Sequence, residues 1–436
     1  MANGTVKCIE NEIPFDVPDS WAWTRISTIT QFVSDGDHQP PPQAASGIPF
    51  LVISDVASGV IDFSKARFVG NEYYNALPIT RKAIKGDVLF TVTGSYGIPV
   101  EILTSKPFCF QRHIALLRPC IIPSRMLSLI LASNWVMDLC NSTATGIAQK
   151  TVGLNSIRYF LVPLPPFEEQ ERIANAVDLA FKQISTIESE KSDLLAIISQ
   201  AKSKILDLAI RGKLVPQEPA DEPASLLLER IRAEKEQLIK AGKIRRDKNE
   251  SYIFRGDDKS YYEKVGDSVK NIDAEIPFDV PVTWGFVRLN TAMPYEQPQP
   301  YIVTSTEYDA SYPTPVLTAG KSFIIGYTNE TDGIKTDLPA VIFDDFTTDS
   351  KYVDFPFKVK SSAMKILTAD SSFADIKFYY YVMQQIECNH STHKRYWISD
   401  FSQKIVPLPP LQEQKRIVAA IEVMEQQLAT IMGSLN

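Results

Sequence analysis

Several short stretches carry side chains suited to hydrogen bonding with a nucleic acid. Residues 86–97, GDVLFTVTGSYG, read as an alternating strand that ends in a glycine turn. Gly94 and Gly97 let a backbone approach a ligand closely, and Thr93, Ser95 and Tyr96 offer hydroxyls. Residues 108–119, FCFQRHIALLRP, read as one further strand with Gln111, Arg112 and His113 in its middle. Those side chains match the donor and acceptor edges of bases. Gln149, Lys150 and Asn155 fall in the polar loop 145–156, TGIAQKTVGLNS. In the C-terminal half, Lys321 opens an expected hairpin at 321–333, and Thr347, Thr348 and Lys351 lie in a polar loop after a buried strand within 338–353. Residues 391–400, STHKRYWISD, gather His393, Lys394, Arg395 and Tyr396, a mixture suited to phosphate contact and base stacking. Each stretch also has a plain structural reading: a hairpin turn, the solvent face of a strand, or a solvated loop with its aromatics tucked in. Residues 35–43, DGDHQPPPQ, form a rigid surface loop by composition, from which His38 could touch a ligand.

Catalytic chemistry lacks a comparable set. The chain has no G-x-x-x-x-G-K-[ST] loop and no Rossmann glycine fingerprint after a strand. Residues 164–167, LPPF, are similar to the Asn-Pro-Pro-Phe motif of amino-methyltransferases, but Leu164 stands where a polar residue must hold the target amino group. In the second copy Leu411 follows the same LPP. Asp349, Ser350 and Lys351, after Asp344 and Asp345, have the residue types of a nuclease carboxylate–lysine set, a string short enough to arise by chance. Four histidines and five cysteines without paired spacing argue against zinc, a triad or a disulfide framework, and fit a reducing cytoplasm.

The elements that position these stretches form a duplicated unit. Residues 6–26 and 269–289 share EIPFDVP, followed in register by a tryptophan (Trp21, Trp284) and an arginine (Arg25, Arg288). Pro14 and Pro18 favour extended backbone, so this lead-in motif reads as a strand with a rigid approach. Residues 162–178, VPLPPFEEQERIANAVD, match residues 406–422, VPLPPLQEQKRIVAAIE. Each unit thus runs lead-in motif, globular insert, VPLPP and heptad helix. The inserts differ in sequence but share punctuation: a helical stretch at 124–139 answers one at 375–386, and Lys150 falls opposite Lys394.

Residues 167–211 contain neither proline nor glycine. Their apolar and small residues alternate between spacings of four and three: Ile173, Val177, Ala180, Ile184, Ile187, Leu194, Ile198, Ala201, Ile205 and Leu208, with only Lys191 breaking the series. That is a heptad seam, the mark of a coiled coil. At 1.5 Å per residue the helix is roughly 65 Å long, a strut that holds two things apart. The second copy repeats the seam at Ile417, Ile421, Met424, Leu428, Ile431 and Leu435. Between the copies come a stop at Gly212, a proline-rich turn at 213–224 and a charged amphipathic helix at 225–246. The basic end of that helix (Lys240, Lys243, Arg245, Arg246, Lys248) faces DNA, a partner or solvent. Nothing near the C-terminus answers residues 192–266, and the N-terminus matches 269 onward, so the chain reads as permuted or cut within its second spacer.

The totals set bounds. A chain of 436 residues holds two or three domains, and 44% hydrophobic with 22% charged residues is ordinary globular composition. No signal peptide or bilayer-spanning run is expected. The net charge of −7 is spread without a basic domain: residues 12–166 carry 12 Lys or Arg against 11 Asp or Glu, and residues 275–410 carry 11 against 16. A DNA reader of this composition must place charge locally or borrow phosphate contacts from a partner.

Four stretches give the chain a resemblance to a known family: EIPFDVPDSWAWTRI (12–26), VPLPPFEEQERIANAVD (162–178), the run 205–246 from ILDLAIRGKLVPQ to AGKIRR, and SYIFRGDDKSYYEKVG (251–266). It resembles the specificity subunits of type I DNA restriction-modification systems. The resemblance implies an α+β fold in which two mixed α/β target recognition domains are separated by two long antiparallel coiled-coil helices. The domains would be 1–166 and 275–410, with a central spacer at 167–274 and a shortened distal spacer helix at 411–436. Each domain would read one half of a split sequence in double-stranded DNA. The helices would set the spacing through Ile173, Val177, Ile184, Ile187, Leu194, Ile198 and Ile205 on one side and Ile417, Ile421, Leu428 and Ile431 on the other. Two modification subunits would dock there and methylate adenine with S-adenosylmethionine, and restriction subunits would add ATP- and Mg-dependent translocation and cleavage. This cytoplasmic, non-catalytic chain would bind no cofactor or metal itself. The alternative is a coiled-coil scaffold that joins two protein-binding domains without DNA contact. Poor basic character favours the alternative; duplicated spacers around divergent inserts favour the reader.

Overall fold

The computed structural model describes residues 6–39, 41–147, 149–243, 245, 251–320, 322–388 and 394–435. The chain divides into two units, Met1–Glu188 and Ser189–Asn436, and the division falls within the 44-residue helix Phe167–Ile210.

In the first unit the lead-in prolines give way to strand Ala22–Arg25, which pairs antiparallel with Leu161–Leu164. Trp23 lies opposite Pro163, a position a two-stranded ribbon tolerates because it asks no second partner of the proline. The Trp21 indole N–H donates to Glu169 Oε2 on the first turn of the long helix (3.2 Å), and the Arg25 guanidinium donates to the Tyr159 carbonyl (2.6 Å) and to Glu12. These bonds tie both ends of the insert to the helix start. The second unit repeats them. Gly285–Arg288 pairs with Ile405–Leu408, placing Phe286 opposite Pro407. Trp284 Nε1 donates to Glu413 Oε2 at 2.9 Å, and Arg288 donates to the Gln403 carbonyl at 2.7 Å.

The two inserts share a topology that their sequences do not display. In the first, an antiparallel sheet runs in the order Thr30–Asp35, Ile114–Pro119, Val88–Thr91, Pro99–Glu101. In the second, the order is Tyr295–Glu296, Met364–Leu367, Ala340–Asp344, Ser350–Val353. A smaller second sheet in each contains one parallel pair, Ile48–Leu51 with Cys109–Phe110 and Thr314–Leu317 with Lys358–Val359. The central strands are apolar on both faces because both are covered. Val88, Phe90, Ala115 and Leu117 enter one core with the helices, whereas Leu89, Ile114 and Leu116 enter another. Val341 and Phe343 against Ala340 and Ile342 divide in the same way. A strand buried on both faces loses its alternation.

Several expected elements differ. The single strand expected over 108–119 is two strands in two sheets, with Gln111, Arg112 and His113 at the corner between them. The helix expected over 124–139 breaks into Ser124–Leu131 and Asn134–Thr143, because Ser133 turns its hydroxyl to cap Val136 N. The expected hairpin at 321–333 supplies one strand, Ile324–Thr328, whose partner is Thr314–Leu317, while 338–353 is itself a hairpin. The charged helix ends at Lys240 rather than 246, followed by Gly242 in the left-handed region; Arg246 and Lys248 lie outside the described residues. A three-stranded hairpin sheet, Ser251–Arg255, Tyr261–Val265 and Ser268–Asn271, follows.

The heptad seam is only partly covered in this chain. Ile173, Val177, Leu194 and Ile205 are half-buried and Ile198 is 3% exposed, but Ile184 and Ile187 are 50% and 63% exposed. On helix Leu411–Gly433, Ile417 and Ile421 are buried in the same core as Leu206, Ala209 and Ile210, Leu428 is half-buried, and Ile431 is 43% exposed. A continuous closed seam is therefore not formed at Ile184, Ile187 and Ile431; helix Leu411–Gly433 has 23 residues against 44. Among the described residues no helix is long and apolar enough to cross a membrane.

Two stability outcomes follow from these contacts. In the first insert Arg118 grips buried Asp87 with two bonds, Nε to Oδ1 at 2.9 Å and Nη2 to Oδ2 at 2.8 Å. Arg118→Ala strands that carboxylate and costs about 3–5 kcal/mol, read as a lowered urea midpoint. In the second unit's clamp, the Trp284–Glu413 tie with its Arg288 bond, burial holds the Glu413 carboxyl above the ordinary glutamate range, only partly offset by Trp284 and Gln217. The folded state then binds this proton more tightly than the unfolded chain does. The group's contribution is fully present below the unfolded-state value and is lost as pH rises through the folded-state value. Glu413→Gln flattens that decline in unfolding midpoint measured across a pH series.

Candidate nucleic-acid interface

Three segments of the first unit meet at the sheet corner, held by main-chain bonds. Val92 N donates to the His113 carbonyl (3.0 Å), Val152 N to the Val92 carbonyl (2.8 Å), and Gly94 N to the Lys150 carbonyl (3.0 Å). The Thr93 and Thr151 hydroxyls lie 3.2 Å apart. This brings Ser95, Arg112, Gln149 and Lys150 together as exposed side chains, with Gln111 and His113 half-buried among them. Two expectations change. Thr93 is 6% exposed and acts as a tie between segments. Tyr96 packs on the core and donates its hydroxyl to Asn141 Oδ1 at 2.9 Å. Both glycines adopt left-handed φ, 70° at Gly94 and 90° at Gly97, and it is this backbone conformation that asks for glycine; a Cβ on Gly97 would meet only the flexible end of Met137, and one on Gly94 only the Gln149 amide. Asn155 stands apart on helix Leu154–Tyr159, where its Oδ1 accepts from Arg158 at 2.7 Å.

Beside the corner opens a cleft of about 360 Å³ whose polar rim includes His38, Gln43, Arg67, Gln111, Arg112 and His113. Phe50 and Phe68 also line it. Asp37 enters it already paired, accepting from Arg81 Nη1 at 2.9 Å and from the Tyr73 hydroxyl. Burial and then this carboxylate push the Tyr73 phenol up, so it stays a donor. Burial and then Arg112 hold His113 below the usual histidine range, so near neutral pH it offers one donor and one acceptor. Gln43 and Arg67 carry no local sequence signal; only the sheet brings them to the corner residues.

The second unit repeats this frame with other side chains. Asp345 N donates to the Ala363 carbonyl (3.0 Å), Tyr396 N to the Asp345 carbonyl (2.8 Å), and Lys360 N to the Leu317 carbonyl (3.1 Å). The last matches Gln111 N to the Leu51 carbonyl (3.1 Å) in the first unit. Residues 360–363 therefore take the place of 111–113, and sequence reading missed them because the inserts do not align. Lys360, Lys394 and Arg395 are exposed here, and Lys351 is half-buried on strand Ser350–Val353. Thr347 donates to Asp349 and Thr348 adopts a φ of 62° in the turn between them. Tyr396 is a correction: it is 2% exposed, so its ring serves the core and its backbone the frame. Lys321 and His393 lie outside the described residues. The Asp344 carboxylate is spent on the Phe346 and Thr347 amides that shape the turn, and no cluster fit to hold a metal ion occurs among the described residues.

The sequence pattern described as "Type I restriction modification DNA specificity domain" matches residues 52–196 and 281–436. The EcoR124I/EcoR124II type I restriction enzyme specificity subunit of Escherichia coli is 43% identical over 189 residues, 41% of this chain and 44% of that protein. The EcoAI specificity subunit of Escherichia coli is 28% identical over 336 residues, 65% of this chain and 52% of that protein. The chain thus spans about half the length of these curated relatives. The crystal structure of the HsdS subunit from Thermoanaerobacter tengcongensis shares the fold with a TM-score of 0.56 at 16% identity, over 97% of this chain and 93% of that one. A chain from a study of complex assembly and conformational transition of the type I R-M system gives 0.59 at 17% identity, over 97% and 94%. Matched over most of its length in two blocks that each take in most of one insert and the start of the helix after it, this chain belongs to the type I restriction-modification DNA specificity family.

Proposed function

We propose that this chain is the sequence-reading, non-catalytic subunit of a type I restriction-modification complex, each insert reading one half of a bipartite target in double-stranded DNA. The observation that carries the reading is one clamp and one insert topology used twice with different corner residues: Gln111, Arg112 and His113 against Lys360, Ser361, Ser362 and Ala363. Such side chains offer different donor and acceptor patterns to base edges, as two different half-sites require. Near-neutral inserts fit a reader whose phosphate contacts come largely from partners. A helix of 44 residues, roughly 66 Å at 1.5 Å per residue, suits a fixed separation between half-sites. Linking two weak half-site contacts raises the effective concentration of the second.

In this reading two modification subunits dock on the helices, where Ile184 and Ile187 are exposed, and methylate adenine with S-adenosylmethionine. Restriction subunits supply ATP- and Mg-dependent translocation and cleavage. The chain works in the cytoplasm and holds none of these cofactors.

Alone, the chain is expected to bind duplex DNA weakly, and with modification subunits tightly and selectively in a mobility-shift competition. Replacing both Lys394 and Arg395 with alanine weakens recognition of one half-site roughly ten- to hundredfold. Arg112→Ala does the same at the other half-site. An assembled complex without preference among DNA sequences contradicts the reading and supports the scaffold alternative.

A further inference from the structure

The shared insert topology lets the two corners be matched position by position. In each insert a parallel pair leads into the corner: Phe50 and Leu51 pair with Cys109 and Phe110, and Val316 and Leu317 pair with Lys358 and Val359. In the ladder beside it Phe50 lies opposite Arg67, and Val316 lies opposite Gly326. Arg67 and Gly326 are therefore equivalent. Asp37 N donates to the Phe110 carbonyl and Val303 N to the Val359 carbonyl, both at 3.0 Å, so Asp37 and Val303 are equivalent as well.

At these matched places the inserts differ. In the second, a Cβ on Gly326 would stand 2.5 Å from both Cβ and Cγ of Tyr308. Those atoms lie at the root of the ring and cannot swing aside, so Tyr308 fills the place a side chain would take. Asp309 N, bonded to the Tyr327 carbonyl at 3.2 Å, holds that stretch against the strand, and Val303 is buried. In the first insert the matched residues Asp37, Phe50 and Arg67 line the open cleft beside Gln111–His113. Arg67 is carried by strand Arg67–Val69, which has partners on both sides and so fixes its backbone. Gln43 lies opposite Val69, two residues along, which puts Gln43 and Arg67 on one face. Both are exposed, and neither side chain has a hydrogen bond or ion pair among the described residues. The carboxylate in the cleft, Asp37, is already held by Arg81 and Tyr73.

We propose that Arg67 is a specificity-determining residue of the first insert, donating to the two major-groove acceptors of one guanine beside the base pairs that Gln111–His113 read, and that the second insert has no equivalent contact. A guanidinium carries donors only, in a planar fork. Guanine alone among the bases presents two acceptors side by side in the major groove. The neighbours favour a base edge over a phosphate. Gln43 and Gln111 each bring an acceptor as well as donors to the same cleft, and His113 stays neutral near pH 7. A phosphate offers acceptors only and leaves those amide oxygens unanswered, whereas a run of base edges answers both kinds of group. The inference rests on the DNA-reading proposal and deepens it at one residue.

The test is enrichment from a randomised pool of duplex DNA by the full chain assembled with modification subunits, as wild type, Arg67→Ala and Arg67→Gln. Affinities for the enriched sequences are then measured over a series of salt concentrations. The expected result is a bipartite target for the wild type and, in both variants, loss of the guanine preference at one position of one half-site. Affinity for the wild-type target falls about tenfold or more, while the preferences of the other half-site persist. That second half-site reports that the variants fold and assemble. Uniform weakening across all sequences with a shallower salt dependence marks a phosphate contact and overturns the inference. An unchanged target in both variants overturns it alone, with the DNA reading intact. A wild-type complex that enriches no target overturns the DNA reading and this inference with it.

Discussion

An indole N–H held against a glutamate, with an arginine one strand-length away, fixes how each insert meets its helix. Trp21 with Glu169 and Trp284 with Glu413 join the lead-in motif to the helix start, and Arg25 and Arg288 hold the chain where it leaves the insert. The four contact points come from distant parts of the sequence, so the bonds close a loop around the whole insert. Of these, the Trp284–Glu413 bond is buried, and desolvation strengthens such a charge-assisted bond and makes its loss costly. The insert can therefore change while its two ends stay in place. One detail shows that the copies are not equal. Gln414 bonds the Pro409 carbonyl and accepts from Asp375 N at 2.7 Å, while Gln170 bonds the Pro165 carbonyl but its buried Oε1 is left without a partner. Asp375 caps helix Ile376–Met383; the cap of the corresponding helix Ser124–Leu131 is Pro123, which has no N–H to give.

Within each insert the same economy recurs at the corner. The bonds that align the three converging segments run between main-chain amides and carbonyls. Side chains there are free to change without disturbing the frame, so Gln-Arg-His gives way to Lys-Ser-Ser-Ala in the second insert. The central strands beneath are covered on both faces, which gives the corner a stiff support.

Much of this was legible in the chain itself. The repeat was visible because the clamp needs particular residue types at fixed spacing, and EIPFDVP with its Trp and Arg keeps them twice. The long helix was visible because a seam without proline or glycine has no other stable form. Its end at Gly212 followed from helix-stop chemistry. The inserts were less legible. Strands buried on both faces carry no alternation, so periodicity could not show that 108–119 changes sheets at Gln111–His113, and Tyr396 looked like a ligand contact because aromatic type does not reveal the direction of a side chain.

By itself, then, the sequence determined the duplicated unit, the heptad helix and the family. Each depends on local residue type and spacing, which a linear string preserves. Tertiary structure alone decided that two dissimilar inserts share one strand order, that residues 360–363 stand where 111–113 stand, and that Gln43 and Arg67 join the first corner. It also decided which seam residues are covered, leaving Ile184 and Ile187 exposed while Ile417 and Ile421 are buried. These outcomes rest on contacts between residues far apart in sequence. Such contacts depend on which surfaces exclude water together, and that is settled only when the chain has packed.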